Sequence, residues 1–322
     1  MLSEYRHFAE STLGPLLLDF SHWVRAKCEE NNVERVYFEC PDVTLAFSAY
    51  QQCRGFWHGN HVRTGRLLIS KSLAARTLGA DPEHLETALA SDHFEGPSCD
   101  LLEERFGFTR TEVLTLAPQN FAVSLPDDKE VILRKLLTAK DVLSARAKEQ
   151  RELITRYLQS EHVTDAKSVA VVGLDPSSSA KKELEILAGR PITGLYFCGP
   201  ENPKTEVDPQ NVFWPDCHEK LSKSLLTILM RAGQSSPVRF RAWGDSVLPI
   251  FAFQPGLAGE EIDEITAGVY AYLAALADVV GDGGEAFLSD TPGRELVQYI
   301  KESKMFFLFT KQLLKTLSFS SS

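Results

Sequence analysis

A lone carboxylate, Asp42, follows the apolar run in RVYFECPDVTLAF, residues 35–47. At the carboxyl end of a core strand such a group can attack phosphorus or ligate a cation. Ser70-Lys71 closes a second apolar run, RLLIS, and so stands at another strand end. Ser177, Ser178 and Ser179 in GLDPSSSAKKEL precede a helical stretch, whose free N–H groups and dipole attract anions. The same Asp-Pro-Ser sequence is also ordinary helix-capping chemistry, and it lacks the Gly-Lys-Ser/Thr of a P-loop.

Other groups carry weaker signals. VVGDGGEAFLSD, residues 279–290, supplies Asp282 as a late acid, although the helical pattern before it makes Asp-Gly-Gly a helix terminator. His58 and His61 need a third ligand to hold a metal. In Cys217-His218 adjacent side chains seldom face each other, so a thiol–imidazole pair is disfavoured. Asp245 and Ser246 sit in a Gly-centred turn that closes a loop, and Arg63 and Arg66 read as solvated cations that could clamp a phosphate.

The elements that must position these groups follow from periodicity. Leu16 to Cys28 has helical spacing and leads, through a polar EENN stop, into the first strand. The loop CRGFWHGNHVRTG then precedes the strand RLLIS. Residues 72–163 alternate polar starts with apolar residues three and four apart, which predicts a helical block. KSVAVVGL, AKKELEILAG and ITGLYFCG restore strand–helix–strand alternation and a parallel sheet. Phe213 to Gly284 reads mainly as helices joined by loops.

Bulk properties narrow the function. The 322-residue chain, with a formal charge of -10 and no cluster of Lys and Arg, is a poor partner for nucleic acid. Mean hydropathy is -0.15, and no apolar run reaches the length of a spanning helix. The six scattered cysteines, without a C-x-x-C, fit reduced thiols. The opening residues lack a basic and apolar leader, so the expected location is cytoplasmic. The amphipathic stretch 303–322 is expected to pack on the protein's own core or to make peripheral contact with a membrane surface.

In the order of its parts the chain resembles haloacid-dehalogenase-like (HAD-like) proteins associated with bacterial surface-polysaccharide glycosyltransferases. The resemblance runs from Gly14-Pro15, Phe20 and Trp23 through YFECPDV, Ser70-Lys71 and EQRELITRYL to VAVVGLDPSSS and ITGLYF. It implies an α/β fold: a HAD-like, Rossmann-type parallel sheet core over 1–71 and 164–322, with a helical cap inserted at 72–163. It also implies Asp42 as nucleophile, Thr44 where the usual second acid stands, Ser70 and Lys71 on the phosphate, and Mg²⁺ held by Asp42, Asp175 and Asp282.

Two departures weaken turnover. The family's Arg-Asp-Gly is replaced by Pro41-Asp42-Val43, and the acid of its later Val-Asp motif aligns with Gly173, leaving Asp175 two residues further on. Two residues of extended chain span about 6–7 Å, a large displacement for a metal ligand. The expected function is therefore a degenerate member that binds a phosphorylated sugar or another anion with weak or no phosphatase activity. The alternatives are an active Mg²⁺-dependent phosphohydrolase and a non-catalytic partner of a glycosyltransferase.

Overall fold

The strands in chain order are β1 (Arg35–Cys40), β2 (Arg63–Leu68), β3 (Phe94–Pro97), β4 (Ala122–Leu125), β5 (Val169–Gly173), β6 (Thr193–Cys198), β7 (Val212–Trp214), β8 (Pro237–Trp243) and β9 (Ser246–Phe251). This computed structural model describes residues 2–280 apart from 56, 58–61, 91–93, 117–118, 201–204, 216, 218–222 and 252–258. Five strands form a parallel central sheet in the order β2-β1-β5-β6-β7. The α/β class with a parallel sheet, expected from the sequence, is thus present.

Both faces of the sheet are covered, because the strands are apolar on both sides. Val36, Phe38 and Cys40 of β1 face a cluster that includes Leu17 and Phe20 of helix α2 (Gly14–Glu30) and Leu45 and Ala49 of helix α3 (Thr44–Cys53). The long helix α12 (Glu260–Val280) adds Ile265, Val269 and Leu273 to that side. Tyr37 turns to the other face, where Ile154, Tyr157 and Leu158 of α9 (Lys140–Ser160) pack with Leu184 and Leu187 of α10 (Lys181–Ala188).

The chain therefore leaves β1 through α3 on one face and β5 through α10 on the other. Neighbouring strands whose connections diverge in this way leave a crevice outside their carboxyl ends, the topological switch point where doubly wound proteins bind ligands. Asp42 and Asp175 follow the two strands that bound it.

The stretch between β2 and β5 has a core of its own, in which Leu85 and Leu89 meet Leu101, Phe106, Ile132 and Leu143. Its helices are α4 (Lys71–Thr77), α5 (Pro82–Leu89), α6 (Ser98–Phe106), α7 (Arg110–Leu116) and α8 (Lys129–Thr138). It is not wholly helical: β3 and β4 pair antiparallel within it. Four-residue strands are too short to register as a period-two pattern. A larger difference lies downstream, where β8 and β9 form an antiparallel hairpin inside a segment read as helices and loops. The alternation of Val238, Phe240 and Ala242 with Arg239, Arg241 and Trp243, followed by Gly244 at φ 58°, is the signal that announces it.

Candidate functional site

Asp42 does not stand free at the end of β1. Its Oδ1 accepts from Arg231 Nε at 2.9 Å and Nη2 at 2.8 Å, so the last residue of helix α11 (Lys223–Arg231) is clamped to it. The two side chains are 24% and 18% exposed, so the pair sits at the lip of the crevice. Thr44 begins α3, donates its hydroxyl to the Pro41 carbonyl at 2.9 Å, and lies 3.2 Å from Gln234 Oε1.

Ser70 is the N-cap of α4, accepting from the Leu73 N–H at 3.2 Å. Lys71 next to it donates from Nζ to the Ser177 carbonyl. Because β1 lies between β2 and β5 in the sheet, this bond spans the carboxyl end of β1.

Asp175 is fully buried. Its Oδ1 accepts the N–H groups of Ser177 at 2.7 Å and Ser178 at 3.0 Å, and its Oδ2 accepts the Ser178 hydroxyl at 2.6 Å. The Ser179 N–H goes to the Asp175 carbonyl at 3.1 Å, and the Lys181 N–H to Ser179 Oγ at 3.1 Å. The remaining donor of the turn, the Ala180 N–H, reaches Glu39 Oε1 at 2.8 Å. The backbone nest expected to cradle a phosphate is filled by the protein's own carboxyl groups.

Glu39 is the residue that sequence reasoning missed. It lies on β1, 5% exposed, with Oε2 in the space above Gly173 of β5, where an added Cβ would come within 2.6 Å. Burial pushes its carboxyl up to about 8, the negative fields of Asp42 and Glu183 push the same way, and hydrogen bonds from Ser179 and Ala180 oppose the shift. A single charged residue in an otherwise apolar strand end, RVYFEC, was the available clue. Arg231 and Gln234 gave none, since nothing local in KSLLTILMR tells which strand end its last cation will meet.

The donor set does not fit Mg²⁺. Gly173 offers no ligand, both Asp175 oxygens accept hydrogen bonds within their own turn, and Oδ1 of Asp42 carries a guanidinium. Among the described residues no three His, Cys, Asp or Glu side chains are grouped to hold a metal. Asp282, His58, His61, His218 and the stretch 303–322 lie outside the described residues.

All six cysteines are free and buried. Burial raises the thiols of Cys28, Cys40 and Cys53 to about 12, far from thiolate chemistry. Arg66 lies 5.7 Å from the Phe47 ring centre in a cation–π contact. No described helix is long and apolar enough to cross a membrane.

Comparison with known proteins returns no matching family model and no matching curated protein.

Proposed function

We propose that this chain is a degenerate HAD-like protein that binds a phosphorylated sugar at the crevice between β1 and β5 and does not hydrolyse it. The observation that carries this reading is the state of its two acids. Asp42 is neutralised by Arg231, and Asp175 is turned inward onto Ser177 and Ser178. A nucleophile needs an available lone pair and an electrophile activated by a cation or acid. Here one oxygen of Asp42, Oδ1, is engaged by a guanidinium that lowers the carboxylate's nucleophilicity, and the described residues supply no cage for an activating cation. Lys71 remains as the cation that would meet a phosphate.

The setting beside a glycosyltransferase of surface-polysaccharide assembly is part of the same proposal and rests on the order of sequence motifs alone. Fold by itself carries no activity.

The test is phosphate release from a panel of sugar phosphates with the full chain and Mg²⁺, alongside calorimetric titration of each member of the panel. Saturable binding weakened by Lys71→Ala, with release no faster than in Asp42→Asn, is the expected result. Mg²⁺-dependent release abolished by Asp42→Asn would establish the phosphohydrolase instead. Absence of binding by every sugar phosphate would remove the ligand from the proposal.

A further inference from the structure

The hairpin of β8 and β9 has two unlike faces. On one, Phe240 is buried against Tyr157 of α9, with ring centres 4.8 Å apart. Register places Arg239 opposite Ile250, Arg241 opposite Leu248 and Trp243 opposite Ser246, and directly opposed residues of an antiparallel pair share a face. Those residues alternate with Phe240, so they make up the face turned away from the core. Trp243 is 68% exposed and Leu248 46% exposed.

The inner face is anchored firmly. Gln150, itself buried, accepts the Phe240 N–H at 2.8 Å and donates to the Phe240 carbonyl at 3.2 Å. The buried Arg76 donates to the Val238 carbonyl and, at 3.0 Å, to the Arg105 carbonyl at the end of α6. Arg156 donates to the Asp245 carbonyl in the turn at 3.2 Å. A hairpin held by three polar side chains presents its outer face in one orientation, which lowers the ordering cost of binding.

That outer face combines an exposed indole, two aliphatic side chains and two arginines. Neither Arg239 nor Arg241 has an ion-pair or hydrogen-bond partner among the described residues. Tryptophan and arginine are the residues that most often dominate interface energies. Two such cations beside apolar side chains on one strand face favour an acidic partner segment. Two arginines are few for an anionic bilayer or a nucleic-acid backbone. Alternate residues of a strand are about 6–7 Å apart, the spacing of carboxylates at i and i+2 of an extended peptide.

We propose that the outer face of the β8–β9 hairpin is a docking surface for an extended acidic segment of a partner protein, with Trp243 as its apolar anchor and Arg239 and Arg241 pairing with acids two residues apart. Nothing in it depends on the crevice or on the sugar phosphate.

The experiment is selection of the full chain against a random linear peptide library, followed by fluorescence titration of an enriched peptide. Enrichment of sequences with acidic residues two apart is expected. Trp243→Ser and the double variant Arg239→Glu, Arg241→Glu should each weaken the enriched peptide by at least about tenfold. Circular dichroism melting checks that each variant remains folded. Enrichment without acidic bias, or affinity unchanged in both variants, would overturn the proposal. So would Trp243-dependent sedimentation with phosphatidylserine vesicles, which assigns the face to a membrane, or Trp243-dependent self-association, which assigns it to a second copy.

Discussion

Glu39 and Gly173 interlock across adjacent strands: the carboxyl of the first fills the space that a side chain at the second would need, with 2.6 Å between Oε2 and an added Cβ. Gly173→Ala forces the buried carboxyl to move and should cost about 1–3 kcal/mol. In a Glu39→Ala background the space is vacant and the cost should fall by about 1 kcal/mol or more. Urea denaturation of the four proteins measures the coupling, and strict additivity would show that the two residues do not compete for one space.

Glu39 also makes stability depend on pH. Its folded value, about 8, exceeds the ordinary 4.5, so between these values the folded state binds more protons than the unfolded state. The contribution is fully present below about 4.5 and is lost as pH rises through about 8. Melting temperature should therefore decline from pH 5 to pH 8, while Glu39→Gln, which keeps an oxygen for the Ala180 N–H, flattens the decline. The free energy involved is at most about 5 kcal/mol. Parallel curves for the two proteins would show that Glu39 does not titrate in this window.

Asp175 organises the turn before α10. Asp175→Ala leaves the N–H groups of Ser177 and Ser178 without their acceptor and should cost about 2–4 kcal/mol. Asp175→Asn retains one oxygen for the same donors and should recover about half of that loss. Equal destabilisation by both variants would show that the charge, rather than the acceptor, stabilises the turn.

Asp42 and Arg231 join the end of β1 to the end of α11. The pair is partly exposed, and its coupling in a double-mutant cycle of Asp42→Asn and Arg231→Met should be about 1 kcal/mol. Coupling indistinguishable from zero in chemical denaturation would mean that the pair does not constrain Asp42.

Much of the framework was legible along the chain. The strands carrying Val36–Phe38, Val169–Val172 and Leu195–Phe197 are local effects of polarity and period, and each occurs where it was read. The positions of Asp42 after β1 and of Ser177–Ser179 before α10 were legible for the same reason. The hairpin of β8 and β9 was legible too, in Val238 to Trp243, but was hidden by the expectation of helices around it.

The sequence by itself determined which residues could stand at the carboxyl ends of the sheet, because strand and helix periods depend on neighbours a few positions apart. Tertiary structure alone decided what those residues do there. Arg231 reaches Asp42 across 189 positions, Ala180 meets Glu39 across 141, and Lys71 meets Ser177 across 106. Such pairings are chosen by the order of strands in the sheet and by the need to satisfy charges and N–H groups removed from water. A lone carboxylate at a strand end looks like a nucleophile in one dimension; in three it is the acceptor of an arginine.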